Sequence, residues 1–226
     1  MRIFVAGATG ATGQVFIPMA TQAGHDVLFH VRPKTAEKTP LGKDPRARIF
    51  DLDDAAALAK ALSGREAVLS FVGTMRGRFK AGDTYESSDI GSTRQLVDGA
   101  KAASVSRFLL LSSYGAGGMG AYLKMKGECE RIVRDSGLSY SLFRPSALAS
   151  PSGGPESPHG ARKPPAAMGA LLGAVGRIPG LHGWADDVKP IPIEVVCDAF
   201  LAVLADPDKW NGRILEGRDL WAFKRL

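Results

Sequence analysis

The chain has 226 residues and a formal charge of +6 at neutral pH, with 45% hydrophobic and 23% charged residues. This balance is typical of a globular protein and excludes a disordered or membrane-spanning chain. The basic residues are scattered, and no basic run is interleaved with aromatic residues, so nucleic-acid binding is not expected.

Cysteine usage and the first residues indicate the cellular setting. The two cysteines, Cys129 and Cys197, are too few for a disulfide framework, and no Cys/His cluster has the spacing of a metal site. The N-terminus shows no succession of charged, apolar and cleavage regions typical of a signal peptide. We therefore expect a cytoplasmic protein with no metal ion and no membrane contact.

Short apolar runs alternate with longer helical patterns over the first 145 residues. The pattern predicts strands at residues 2–6, 26–31, 47–50, 67–72, 108–111 and 140–143, and helices at 11–23, 55–62, 90–103 and 121–136. Gly24, Gly64 and Gly137 follow three of these helices, where a left-handed residue commonly ends a helix. Continuous apolar strands separated by helices indicate a parallel sheet. The prediction is an α/β, Rossmann-like doubly wound fold.

The composition changes after Pro145. Residues 150–165 are rich in Pro, Gly and Ser and predict a loop, whereas residues 166–175 and 195–205 predict two helices. We expect one domain over residues 1–226, with a cofactor-binding core at 1–145 and a small C-terminal, substrate-side elaboration at 146–226.

A glycine-rich turn joins the first predicted strand to the first helix, with glycines at positions 7, 10 and 13. The first glycine permits a tight turn, the second lets the backbone approach a pyrophosphate, and the third lets helix and strand pack closely. The helix N-terminus then offers N–H groups to the phosphates, although a purely structural turn remains the alternative. The turn residues expected to contact a dinucleotide are Gly7, Thr9, Gly10, Ala11, Thr12 and Gly13.

The end of the second strand bears on which dinucleotide is bound. A protein that prefers NAD usually has an acid there, about twenty residues after the glycines, but this chain has Arg32. A guanidinium binds a 2′-phosphate well, so NADP(H) is favoured over NAD(H), unless Arg32 is only a surface residue. Asp51, followed by Leu52, is expected on the adenine side, and the alternative for Asp51 is a helix cap.

Tyr122 and Lys126 lie four residues apart at the start of a predicted helix and therefore share one helix face. A lysine ammonium stabilises a phenolate, so such a tyrosine can donate a proton to a carbonyl oxygen, and the lysine can also hold a ribose. Ser113 follows the strand at 108–111, at the sheet edge where ligands bind, and can polarise the same carbonyl. The alternative is an amphipathic helix with a boundary tyrosine.

These motifs resemble the short-chain dehydrogenase/reductase superfamily in its atypical, NmrA-like branch, including the group of the human Tat-interacting protein. The resemblance spans essentially the whole chain. It is carried by the glycine turn, Ser112–Ser113, the segment 122–130, Leu142-Phe-Arg-Pro145 and Pro190-Ile-Pro-Ile193. It implies a Ser113–Tyr122–Lys126 triad. It also implies that Pro145, Ser146 and Ala147 lie near the nicotinamide, and that Val72 and Gly73 pass the adenosine side.

The chain departs from this family pattern in two respects. Catalytic members carry an Asn on the fourth helix, whereas the only Asn here is Asn211. The spacing from Ser113 to Tyr122 is also short, so the alternatives are that Ser112 or Tyr114 takes the serine's role, or that no residue does.

Together these features predict an NADP(H)-dependent oxidoreductase that reduces a small carbonyl compound. The expected pocket residues Leu148, Met168, Leu171, Leu172 and Trp184 favour an apolar substrate. Two alternatives remain open. One is an NADP(H)-binding regulatory or redox-sensing protein with little catalysis, and the other is an enzyme similar to nucleotide-sugar epimerases.

Overall fold

The computed structural model describes residues 1–73, 84–149 and 187–224. The strands of this part are β1 (Arg2–Ala6), β2 (Asp26–Val31), β3 (Ala47–Ile49), β4 (Ala67–Ser70), β5 (Arg107–Leu111), β6 (Ser139–Arg144), β7 (Leu148–Ala149), β8 (Ile191–Pro192) and β9 (Arg213–Glu216). Seven of them form one parallel sheet in the order β3-β2-β1-β4-β5-β6-β9, and β7 pairs with β8 in a small second sheet. The strand order reverses direction between β1 and β4, so the predicted Rossmann-like topology is confirmed.

The described α-helices are α1 (Ala11–Gln22), α2 (Pro33–Ala36), α3 (Ala55–Leu62), α4 (Gly91–Ala102), α5 (Ala121–Arg134) and α6 (Ile193–Ala205). A π-helical turn at Tyr85–Ile90 leads directly into α4, and 3₁₀ turns lie at Pro40–Lys43 and Gly217–Phe223. Within the described residues, no helix has both the length and the apolar character needed to cross a membrane.

The core has two layers because successive strand residues point to opposite faces of the sheet. Ile3 and Val5 of β1 face a layer that contains α1 and α6, whereas Phe4 and Ala6 face the layer of α3, α4 and α5. All four side chains are fully buried. Both faces of the strand are therefore covered, which is why it appears as an unbroken apolar run in the sequence.

The predicted elements before residue 145 are present, with ends shifted by one or two residues, and Gly24, Gly64 and Gly137 all have positive φ angles as expected. The structure adds the π-helical turn before α4 and the edge strand β9, which the sequence did not predict. In β9 only Leu215 is buried, so this edge strand of mixed polarity lacks the continuous apolar pattern of the central strands. Part of the C-terminal stretch thus belongs to the main sheet and to the α1–α6 layer.

Several predictions concern residues outside the described ranges. These are the loop at 150–165, the helix at 166–175, and the pocket residues Met168, Leu171, Leu172 and Trp184. Leu148, the remaining pocket residue, lies half-buried in β7.

Candidate cofactor and catalytic site

The three glycines of the turn meet different surroundings. Gly7 has φ of +86°, and a Cβ atom there would lie 2.6 Å from the carbonyl carbon of Phe71. A Cβ at Gly13 would lie 2.5 Å from the carbonyl oxygen of Gly7, so the packing of the protein itself requires both glycines. At Gly10 the nearest atom would be 3.3 Å away, which a small shift relieves. Of the three, Gly10 is the position that the protein's own packing constrains least.

Helix α1 begins directly after Gly10, and no side chain caps its N-terminus within the described structure. The first N–H groups of a helix have no partner inside the helix, so they offer donors and a positive dipole end to an anion. Gln14 of α1 stabilises the turn, because its side-chain amide donates a hydrogen bond to the carbonyl of Thr9 at 2.8 Å. Thr9 and Ala11 are half-buried, whereas Thr12 is 5% exposed. A narrow glycine cradle facing an uncapped helix end fits a pyrophosphate.

Among the residues expected near the adenosine, Arg32 lies between β2 and α2 and is half-buried. Its backbone carbonyl accepts the N–H groups of Thr35 and Ala36. Asp51 is exposed and Leu52 half-buried just after β3. Helix α3 is capped by Asp54, whose carboxylate accepts from the Ala57 N–H at 2.9 Å, so Asp51 is not its cap.

A buried histidine fixes the connection between these two strands. The Nε2–H of His30 donates to the carbonyl of Phe50 at 2.7 Å, and the two rings pack edge to face. Burial lowers the pKa of His30, which therefore stays neutral near pH 7. This contact holds the chain just before Asp51 and was not predicted from the sequence.

The structure brings Tyr122 and Lys126 together on α5. The Lys126 Nζ lies 5.9 Å from the centre of the Tyr122 ring, and the tyrosine is 37% exposed whereas the lysine is 5% exposed. Gly73 lies beside the ammonium, since a Cβ built there would be 3.7 Å from Nζ. The Tyr122 ring also faces the Tyr85 ring of the π-helical turn at 6.2 Å.

A second contact of Lys126 was not predicted. Its Nζ lies 4.0 Å from Oδ1 of Asp89, and the two side chains are 6% and 1% exposed. Asp89 belongs to the π-helical turn. The polar segment around it gave no sequence signal for a buried carboxylate.

The two candidate serines differ in their partners. Ser112 is buried, and its hydroxyl donates to Glu130 Oε1 at 2.5 Å. Ser113 is half-buried, and its carbonyl accepts from the Ala116 N–H. The hydrogen bonds of the described residues include none between Ser113 and Tyr122. Because the Ser112 hydroxyl is already engaged, Ser113 is the better placed of the two for a ligand.

Glu130 lies at the centre of a buried ion cluster. Arg144 contacts both its carboxylate oxygens, at 2.8 and 2.6 Å, and this pairing raises the pKa of Arg144. Arg144 also meets Glu216 of β9 at 3.3 Å, and Glu216 accepts the N–H of Gly115 at 3.0 Å. The cluster ties α5, β6, β9 and the loop after Ser113 together. Its sequence signal is the spacing of four from Tyr122 to Lys126 to Glu130, which makes one stripe on α5.

The segment expected near the nicotinamide is held by β7 and β8. The carbonyl of Pro145 accepts from the Tyr114 N–H at 2.8 Å, and that of Ala147 accepts from Ile191 at 2.9 Å. The Ser146 hydroxyl donates to the carbonyl of Lys189. Pro145 is buried and Ala147 exposed, beyond the carboxyl end of β6. Asn211 lies far from this edge, where its side chain accepts from the N–H of Tyr140 near the start of β6.

The fold and the glycine turn define a dinucleotide-binding α/β protein, and the comparisons with known proteins agree. A family model described as NAD(P)H-binding matches residues 7–166, which is more than half of the chain. The chain belongs to this NAD(P)H-binding family, and its homologues are atypical, NmrA-like short-chain dehydrogenase/reductase proteins. The resemblance inferred from the sequence motifs is thereby confirmed.

Individual relatives are distant. The photosystem II assembly factor Ycf39 of Cyanophora paradoxa is 28% identical over 148 residues, which cover 64% of this chain and 44% of that protein. Three curated relatives, this one included, are matched over only 44 to 63% of their length.

Two solved structures illustrate the likeness in fold. A double mutant of the dTDP-glucose 4,6-dehydratase DesIV of Streptomyces venezuelae, with NAD and DAU bound, aligns with a TM-score of 0.68 at 21% identity. The alignment covers 96% of this chain and 75% of that one. The oxidoreductase ylbE of Lactococcus lactis aligns with a TM-score of 0.64 at 19% identity, over 95% and 89% of the two chains.

Proposed function

We propose that the protein binds NADP(H) and reduces a small carbonyl compound, with Ser113, Tyr122 and Lys126 around the reacting oxygen. The observation that carries the proposal is the position of the chain after β4. In this segment the backbone of Phe71 lies against Gly7, and Gly73 lies beside the Lys126 ammonium. The phosphate turn and the Tyr-Lys pair therefore share one edge of the sheet, where open parallel sheets bind ligands.

The preference for NADP(H) is the finer part of the proposal. Arg32 follows β2 at the position where an acid would select NAD. A guanidinium there would pair with the 2′-phosphate and stack on adenine. Asp51 and Leu52, held near by the His30–Phe50 contact, would line the adenine side.

The chemistry divides between cofactor and side chains. Bound NADPH would supply a hydride to the carbonyl carbon. The Tyr122 hydroxyl would donate a proton to the oxygen, so that an alcohol forms and a phenolate remains. The Lys126 ammonium would stabilise that phenolate, and the Ser113 hydroxyl would donate a hydrogen bond to the same oxygen. Tyr122 is 37% exposed, so a substrate can approach this side chain.

The test is a screen of small apolar aldehydes and ketones with NADPH, followed by Tyr122→Phe on any substrate found. We expect kcat/KM to fall by about 100-fold or more, because proton transfer is lost while the ring is kept. Tyr140→Phe is the matched control, since Tyr140 lies near the start of β6, at the opposite edge of the sheet, and should behave like the wild type. Unchanged kcat/KM in Tyr122→Phe would show that this assignment is wrong.

A regulatory, cofactor-sensing function is the second candidate. The name of the Ycf39 relative, an assembly factor, favours it, as does the lack of the Asn that catalytic members carry. This function predicts NADPH binding without turnover in the screen. It also predicts that hydrogen exchange of the protein differs between the NADP⁺ and NADPH complexes, whereas identical exchange would exclude a redox-sensing role.

An epimerase-like enzyme is a third candidate, favoured by the structural likeness to a nucleotide-sugar dehydratase. Such an enzyme would keep its cofactor through the reaction cycle. Purified protein with one dinucleotide per chain would support it, because a simple reductase must release its cofactor after each turnover. Protein that purifies without dinucleotide and binds NADPH reversibly would favour the reductase.

A further inference from the structure

The buried contact between Lys126 and Asp89 links two separate elements of the chain. Lys126 belongs to α5, whereas Asp89 belongs to the π-helical turn that leads into α4. Their side chains are almost fully buried, and 4.0 Å separates the ammonium nitrogen from the nearer carboxylate oxygen. An ammonium in such a site is costly without a counter-charge, so the carboxylate is needed to keep it there.

The π-helical turn is itself well fixed. Thr84 and Ser87 cap its start reciprocally, with hydrogen bonds of 3.0 and 3.1 Å. The Thr93 hydroxyl donates to the carbonyl of Asp89 at 2.8 Å and so joins the turn to α4. π-Helical turns are rare and occur often at functional sites. Here the turn carries the Asp89 side chain to Lys126.

The same turn meets α5 at a second point, since Tyr85 faces the ring of Tyr122. Two residues of the turn therefore contact the two residues of the Tyr-x-x-x-Lys pair, one each. Within the sequence Thr84–Ile90, the side chains of Tyr85 and Asp89 are four residues apart. The π-helical turn therefore packs against both residues of the pair, Tyr122 through Tyr85 and Lys126 through Asp89.

We propose that Asp89 is a positioning residue for Lys126. It holds the ammonium at the end of β4, beside Gly73, so that the remaining N–H donors of Lys126 point to a cofactor ribose. The inference rests on the proposed binding of NADP(H) and names a residue for that site that the sequence pattern did not contain.

A double-mutant cycle tests this role. NADPH affinity is measured by fluorescence titration for the wild type, Asp89→Asn, Lys126→Met and the double variant, together with the thermal midpoint of each protein without cofactor. We expect each single variant to bind NADPH about tenfold more weakly, and the double variant to bind no more weakly than Lys126→Met. Asp98→Asn, the same change at an exposed position of α4, is the matched control and should bind like the wild type.

The outcomes separate the two proposals. A wild type that does not bind NADPH would overturn the proposed function itself. A wild type that binds, with Asp89→Asn equally tight, would overturn only the role of Asp89. A further loss of affinity when Asp89→Asn is added to Lys126→Met would also overturn it, because a residue that acts through Lys126 has no effect without it. If Asp89→Asn alone does not fold, Asp89→Glu takes its place in the cycle, because it keeps the negative charge and changes only its distance from the ammonium. NADPH affinity of Asp89→Glu equal to that of the wild type would then overturn the role of Asp89.

Discussion

Helix α5 carries two polar clusters one turn apart, and they differ in how closely their charged groups approach each other. The Glu130 carboxylate accepts three hydrogen bonds from two side chains, Ser112 and Arg144, at 2.5 to 2.8 Å. Around Lys126, the carboxylate is 4.0 Å away and the neighbouring Tyr122 is 37% exposed. We call these the closed cluster (Ser112, Glu130, Arg144, Glu216) and the open cluster (Tyr85, Asp89, Tyr122, Lys126).

This difference indicates that the closed cluster stabilises the fold, whereas the open cluster serves ligand binding and the proposed reaction. A buried carboxylate whose two oxygens both accept short hydrogen bonds from the protein stabilises the fold and is not available to a ligand. Among the described residues, Lys126 has one ionic contact, at 4.0 Å, so N–H donors of its ammonium stay available to a ligand. The partly exposed Tyr122 can reach the same ligand. Substitutions in the closed cluster should therefore change stability first, whereas those in the open cluster should change binding and turnover.

The largest effect is expected for Glu130→Ala. Removal of a fully buried carboxylate leaves Arg144 without its bidentate partner and Ser112 without an acceptor, so the free energy of unfolding should fall by about 3–5 kcal/mol. Urea denaturation measures the change. The control is Glu128→Ala on the same helix, where the glutamate pairs with Arg131 at the surface. A Glu130 variant as stable as this control would contradict the assignment of the closed cluster.

The glycine turn provides a similar contrast between support and ligand contact. Gly7→Ala should lower the free energy of unfolding by about 1–3 kcal/mol, because its Cβ overlaps the backbone after β4 and its φ is positive. Gly10→Ala should unfold almost like the wild type, because the nearest atom to its added methyl group would be 3.3 Å away. It should bind NADPH more weakly, because that methyl group would lie at the proposed position of the pyrophosphate. Equal NADPH affinity in Gly10→Ala would contradict the proposed pyrophosphate position.

The choice between cofactors depends on Arg32 in the proposed account. Arg32→Ala should lower NADPH affinity by about tenfold, or about 1.4 kcal/mol, and leave NADH affinity nearly unchanged. Parallel fluorescence titrations with both cofactors measure the ratio. Lys34→Ala, an exposed cation in the same segment, is the control for a general charge effect. Loss of affinity for both cofactors alike would contradict a contact with the 2′-phosphate.

The smallest effect concerns pH and His30. Because burial lowers the pKa of His30 in the folded protein, the unfolded chain takes up a proton near its ordinary value of 6.5 before the folded one does. Stability from this group is therefore present above pH 6.5 and is lost as pH falls below it. His30→Gln, which keeps a donor for the Phe50 carbonyl, should lose less stability between pH 7 and 5. Equal pH slopes would show that His30 does not contribute.

The sequence predicted the elements whose signal is local. Continuous apolar runs gave β1, β2, β4 and β5, because strands covered on both faces need apolar residues at every position. The edge strand β9 was missed, since its pairing with β6 depends on contacts over seventy residues apart in the chain. The π-helical turn was missed because its polar sequence resembles that of a loop or a helix start.

The residues of the candidate site also fall into those that the sequence predicted and those that it did not. The glycine turn and the Tyr122–Lys126 spacing are periodic or short-range features, so the sequence contained them. Asp89 and Arg144 are held at the site by tertiary contacts from other elements. The burial of a carboxylate opposite a lysine depends on how α4 and α5 pack, and no pattern within either helix encodes it.

The most direct test of the account is the binding of NADPH and NADH to the purified, cofactor-stripped wild-type protein, measured by fluorescence titration beside Gly10→Ala. The account predicts saturable binding of about one NADPH per chain, about tenfold tighter than NADH, and weaker in Gly10→Ala while the variant unfolds like the wild type. Absence of binding by either dinucleotide would contradict it and would mean that the glycine turn serves only the packing of α1 against β1 and β4.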